Sequence, residues 1–208
     1  MRKIKPTLYY VHDPMCSWCW GFHSVWTQLQ TVLKDQLTIQ TVLGGLAPDT
    51  SQAMTESMQL NIQSNWRKIQ QDIPGTEFNY DFWRDCEPRR STYPACRAVL
   101  AAGMQSEHYK KIMALAIQQA YYLHAKNPSD DSVLIQLAIE NGLDEKRFEM
   151  DLVSDECNNL LHEELQLTAR LNVDSFPGLV LSHNGVNTEI QIDYNSTETI
   201  VSNIFALI

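Results

Sequence analysis

The chain has 208 residues, of which 44% are hydrophobic and 20% charged, a balance that suits a folded core and excludes a disordered chain. Its 25 acidic against 16 basic residues leave a net charge of -9, a field that repels phosphate backbones and anionic lipid and so argues against nucleic-acid or membrane-surface partners. Five cysteines, an odd number in a chain too large to need disulfide staples, point to chemistry instead of a structural framework.

The opening run Met1-Arg2-Lys3-Ile4-Lys5-Pro6 passes into a short apolar segment with no small-residue cleavage site, and no stretch approaches the roughly 18 apolar residues of a membrane span. A cytoplasmic location is expected. Residues 7–12 are rich in β-branched and aromatic side chains and stop at Asp13-Pro14, which reads as a strand and then a loop. From Ser17 to about Leu33, Phe22, Val25, Trp26, Leu29, Val32 and Leu33 recur at helical steps. Residues 37–43 alternate again before Gly44-Gly45, giving a second strand and a β-α-β unit with parallel strands.

Between residues 49 and 170 the strand pattern vanishes. One helix carries Ile112, Leu115, Ala116, Ala120 and Leu123, with Pro128 as its expected stop. Ser129 to Ser132 are expected to cap the next, which stops at Asn141-Gly142. Another starts at Asp144, and a further one presents Cys157, Leu160, Leu161 and Leu165. A strand over 179–182, the turn Asn184-Gly185 and a strand over 188–192 then form a hairpin. A terminal helix starts at Asn195, three residues before Glu198. The fold class expected is α/β: a β-α-β … β-β-α sheet domain formed by residues 1–48 and 171–208, interrupted by an all-helical insertion over 49–170.

Cys16-Ser17-Trp18-Cys19 places two cysteines at the first turn of the first helix. That spacing brings the sulfurs within bonding reach, and the helix dipole with its unpaired amides lowers the first thiol from about 8.5 to ~3.5–7.5 in such motifs. A stabilised thiolate is also a better leaving group and favours the reduced form. Ser17-Trp18 contains no cation, so an intermediate potential is expected. His12 and His23 are candidates to add positive charge, weighed against ordinary packed or surface histidines. A Cys-X-X-Cys is also half of many zinc sites, but there is no second half; Cys86, Cys96 and Cys157 complete only an irregular set, and no metal is expected. Cys86 and Cys96 are a candidate second redox pair against the plainer reading of two ordinary thiols, and Thr92-Tyr93-Pro94-Ala95-Cys96 reads as a helix entry. Cys157, among leucines, reads as packing.

The run Tyr10-Val11-His12-Asp13-Pro14-Met15-Cys16-Ser17-Trp18-Cys19-Trp20 resembles the opening of the cytosolic DsbA-like, FrnE-type protein-disulfide isomerases, and the similarity covers most of the chain. The resemblance implies a thioredoxin fold with a helical insertion and a cis-proline opposite the dithiol. Ser175-Phe176-Pro177-Gly178 fits that position, so Pro177 would sit beside Cys16 and the backbone of Phe176 would meet an extended substrate. Thioredoxin-like proteins often bury an acid six residues before the first cysteine; Tyr10 stands there in this chain. Asp13 is nearer but reads as a turn former before proline.

The function expected is a thiol-disulfide oxidoreductase, reductase or isomerase, in which Cys16 attacks a disulfide and Cys19 resolves the mixed disulfide. Ser17, Trp18, Phe176 and Pro177 position the substrate, and His12 and Asp13 modulate the pair. Partners are disulfide-containing proteins or small thiols; no bound cofactor is expected, with glutathione as a candidate redox co-substrate. Two rivals stand beside it. The first is a glutathione-dependent isomerase or transferase of the kappa or hydroxychromene carboxylate isomerase type, whose relatives typically lack the second cysteine. The second is a non-catalytic module binding extended peptides in the Phe176-Pro177 groove.

Overall fold

Leu8, Tyr10 and His12 alternate with Tyr9 and Val11, so the first apolar run makes a strand with both faces covered. In the computed structural model it is β1 (Thr7–His12), an inner strand of a four-stranded sheet. The structure describes residues 5–208, and the first four residues of the basic opening run lie outside the described residues. Next comes α1 (Ser17–Leu33), then β2 (Thr38–Leu43), parallel to β1 with Thr7 opposite Thr38 and His12 opposite Leu43. Seven helices follow before the sheet resumes: α2 (Glu56–Asp72), α3 (Phe82–Asp85), α4 (Tyr93–Gln105), α5 (Glu107–Tyr122), α6 (Asp131–Glu140), α7 (Glu145–Leu152) and α8 (Asp155–Arg170). β3 (Gly178–His183) pairs antiparallel with β1 and with β4 (Val186–Ile190), and α9 (Thr197–Phe205) closes the chain. The strand order is β2-β1-β3-β4.

One sheet face buries Leu8, Tyr10, Leu179, Leu181 and Ile190 against Phe22, Trp26, Leu29 and Leu33 of α1 and Ile200 and Ile204 of α9. The opposite face sets Val11, Val42 and Val180 against Leu171, with Leu167 at the end of α8. The helices between β2 and β3 share a separate cluster around Trp66, which is wholly buried and stacks on Phe78 at 4.8 Å between ring centroids. Met15, Trp18 and Trp20 from the cysteine loop and α1 reach into this cluster. The dithiol loop is therefore pinned from both the sheet side and the helical side. Among the described residues no helix is long and apolar enough to cross a membrane.

Several element ends differ from the sequence expectation, each for a local reason. The last strand starts at Val186, two residues before the expected start. Asn184 and Gly185 both take positive φ, 51° and 80°, and make a two-residue turn that pairs His183 with Val186 at once. α5 stops at Tyr122, well before Pro128: the N–H of Lys126 returns to the carbonyl of Ala120 and Ala125 adopts φ 50°, a left-handed helix stop without glycine. α6 has no side-chain cap, because Asp130 at its N-cap pairs with Arg89. The cap of α9 is Ser196, whose Oγ accepts the N–H of Thr199, while Asn195 donates to the carbonyl of Asp72. α2 is a helix that periodicity did not single out: of its 17 residues only Trp66 and Ile69 are buried.

Candidate functional site

The site begins with a turn. Asp13 donates no proton here; its backbone carbonyl accepts the N–H of Cys16 at 3.0 Å, and its Oδ1 accepts the N–H of Met15 at 2.7 Å. This places Cys16 at the N-cap of α1 in extended conformation, with its sulfur accepting the N–H of Cys19 at 3.4 Å. The helix start thus supplies an amide donor to the Cys16 sulfur. From the other side, the Cys16 Sγ lies 3.4 Å from the carbonyl of Phe176, and the Phe176-Pro177 peptide bond is cis. Gly44 makes room for this approach: a Cβ there would stand 2.1 Å from the Phe176 ring.

The two thiols differ in surroundings. Cys16 is 6% exposed at the mouth of the site, whereas Cys19 is wholly buried. Burial, followed by the neighbouring Cys16 sulfur, pushes the Cys19 thiol well above its ordinary value. All five cysteines are free thiols. Trp18 is half-buried and packs on Tyr194 at 5.2 Å, and both line a groove with Ser175, Phe176, Pro177 and Glu189. Ser17 is half-buried beside Cys16.

His12 and Asp13 are both buried, at 6% and 0% exposure. Burial lowers His12 from 6.5 to about 4, so its ring is neutral at neutral pH and adds no positive charge to the dithiol. The His12 ring stacks on Tyr10 at 4.9 Å, and Tyr10 stacks in turn on Trp26 at 4.1 Å. His23 is lowered by burial and then by Lys111.

Asp13 is more than a turn former. Its Oδ2 accepts the N–H of Leu46 at 2.7 Å and the hydroxyl of Thr92 at 2.6 Å, and the Cys96 Sγ lies 3.6 Å away. Burial raises the Asp13 carboxyl, while the donors from Leu46, Thr92 and Met15 oppose that shift. One carboxylate therefore ties the cysteine loop to the loop after β2 and to the start of α4. Thr92, which sequence suggested only as a helix entry, makes no cap bond and spends its hydroxyl on Asp13. No local signal identifies that partnership, because the residues lie 79 positions apart.

Cys86 and Cys96, the candidate second pair, point to different partners. The Cys86 Sγ contacts the carbonyl of Ala125 at 3.1 Å, and the Cys96 Sγ contacts Asp13. The Cys157 Sγ contacts the carbonyl of Arg97 at 3.3 Å in the helical core. Among the described residues no group of three or more His, Cys, Asp or Glu side chains is arranged to hold a metal ion.

A buried carboxylate loop, a Cys-X-X-Cys at a helix start and a cis-proline facing it together describe a thioredoxin fold of the DsbA-like type, carrying its helical insertion between β2 and β3. The chain matches the thioredoxin family model over residues 9–202 and belongs to that family. It is 27% identical over 193 residues to the ClpXP adapter protein SpxH of Halalkalibacterium halodurans, covering 90% of this chain and 62% of that protein. The SpxH of Bacillus subtilis is 24% identical over 174 residues, covering 83% of this chain and 56% of that one. The chain thus spans about six-tenths of the length of these curated relatives. Among solved structures, a candidate protein disulfide isomerase from Nitrosomonas europaea superposes with a TM-score of 0.83 at 28% identity, covering 98% and 97% of the two chains. The cytosolic disulfide reductase DsbM of Pseudomonas aeruginosa shares the fold with a TM-score of 0.76 at 22% identity, covering 97% of each chain.

Proposed function

We propose that the protein is a thiol-disulfide oxidoreductase working through Cys16 and Cys19 on disulfides of proteins or small thiols. The observation that carries this reading is the asymmetry of the pair: one sulfur at the site mouth receives a helix amide, and the other waits protonated and fully buried behind it. The Cys16 thiolate attacks a substrate disulfide, forming a Cys16–substrate bond while the other substrate sulfur leaves with the electron pair. The Cys19 thiolate then attacks Cys16, joining the pair and releasing the second substrate sulfur. The substrate disulfide gains two electrons and the dithiol loses two.

An extended peptide fits beside Phe176 and Pro177 as an added strand, with Trp18 and Tyr194 as an apolar wall. No bound cofactor is required, and glutathione is the proposed co-substrate that returns the pair to its dithiol form. In a reducing compartment such as the cytoplasm the pair rests reduced and acts as a reductase or isomerase. The test is insulin reduction with glutathione as electron source. Cys16→Ser is expected to abolish turnover and Cys19→Ser to accumulate the mixed disulfide; full activity in Cys16→Ser overturns the assignment.

A second reading rests on the SpxH relatives, whose likeness runs along nine-tenths of this chain. On that reading the chain is a protein-binding adapter that needs no exchange chemistry. Binding to purified ClpXP that survives the Cys16→Ser, Cys19→Ser double substitution, with no insulin reduction by the parent, would favour it.

A further inference from the structure

Resolution of a mixed disulfide requires Cys19 to lose a proton, yet Cys19 has no exposed surface and its front is closed by Cys16. When a substrate is joined to Cys16, that side is covered further. Behind Cys19 the fold leaves a cavity of about 90 Å³, walled by Cys19, Tyr10, His12, Trp26 and Gln118. Gln30, Thr41, Lys110, Lys111 and Glu164 line it as well, and the same five residues line an open groove on the outside, which marks theirs as the outer side. The cavity is roomy enough for more than one water, each of which needs about 10–15 Å³ by this measure, and its lining includes the polar side chains of His12, Gln118, Thr41 and Glu164.

His12 stands at the inner end. It shares its sheet face with Tyr10, whose ring it stacks against, and burial disfavours its charged form. The titratable groups that line the space beside His12 are Cys19 and His23 from α1, Tyr10 from β1, Lys110 and Lys111 from α5, and Glu164 from α8, while α4 contributes only Val99 and Leu100. Asp13, next in sequence, is turned to Met15, Leu46 and Thr92. β2 contributes only Thr41 and Leu43.

We propose that this cavity is the route by which the Cys19 proton leaves during resolution, with His12 as the relay at its inner end. The inference rests on the dithiol reading above. The Cys19 proton passes through cavity water to one ring nitrogen while the other nitrogen gives its proton toward Glu164 and the outer groove, so His12 ends neutral as it began. The freed thiolate attacks the Cys16 sulfur, the Cys16–Cys19 bond forms, the Cys16–substrate bond breaks, and the departing substrate thiolate takes a proton from solvent. His12 acts on Cys19 through water and is a positioning residue, not a catalytic one.

The test mixes reduced protein with oxidised glutathione, quenches by acid and alkylation, and follows the mixed disulfide and the internal disulfide by mass spectrometry from pH 6 to 8. His12→Phe keeps a ring on Tyr10 and removes both nitrogens. It is expected to form the mixed disulfide at the wild-type rate but to resolve it about tenfold or more slowly. Its resolution should then climb with hydroxide, about tenfold per pH unit, where the wild type stays nearly flat. Added imidazole should restore resolution in His12→Gly. If His12→Phe resolves at the wild-type rate with the wild-type pH profile, or the wild type itself climbs tenfold per pH unit, the relay is wrong; the second outcome decides the matter even if neither variant folds. A wild type that forms no mixed disulfide at Cys16 sinks the dithiol reading instead.

Discussion

Acidification should unfold this protein by an amount that His12 sets. The ring is held neutral in the fold, near 4 against 6.5 for a free histidine, so the unfolded chain binds one more proton wherever the pH lies between those values. Stability is therefore complete above about pH 6.5 and falls with pH through that window. Linkage puts the loss from this one ring at about 2 kcal/mol by pH 5 and about 3 kcal/mol by pH 4, after which it levels off. Asp13 and Glu164 work the other way: burial raises both, so the fold favours their protonated forms and gains on acidification. Comparing wild type with His12→Phe removes those shared contributions. Urea unfolding of both proteins at pH 7, 6, 5 and 4 should show the gap between them shift by about 3 kcal/mol in favour of the variant. A gap that stays constant across the series would mean that His12 titrates alike in the folded and the unfolded chain, and the argument for a desolvated ring would fail.

Three further outcomes follow from the packing. Trp66→Ala, at the centre of the helical cluster, should cost ~3–5 kcal/mol in urea unfolding, since a wholly buried indole stacked on Phe78 leaves a large void. Ala125→Gly should stabilise by ~1 kcal/mol, because Ala125 closes α5 in a left-handed conformation that glycine adopts freely. Gly44→Ala should cost ~1–3 kcal/mol and lower kcat/KM for insulin reduction, because the new Cβ displaces the Phe176 ring and with it the carbonyl facing Cys16. Unchanged stability and turnover would show that the ring swings aside without moving its backbone.

The elements that were legible from the sequence are those whose signal is local. The period of Phe22, Val25, Trp26 and Leu29 marks α1, and the strand's stop at Asp13-Pro14 marks the short loop after which its first turn must begin. The ends that shifted were decided by backbone closures the side-chain pattern does not encode, such as the left-handed stop at Ala125 and the immediate pairing at Val186. α2 escaped notice because it buries so narrow a stripe that polar residues dominate its sequence.

Placement of two cysteines one helical turn apart at the start of a helix was written in neighbouring residues, since capping, proline and periodicity act over a few positions. The state of the groups around them was not. His12 loses its charge, Asp13 finds its donors at Leu46 and Thr92, and Cys19 is shut away from solvent only because distant segments close over them. Desolvation and long-range hydrogen bonds depend on what surrounds a group in space, and that is settled by the tertiary fold alone.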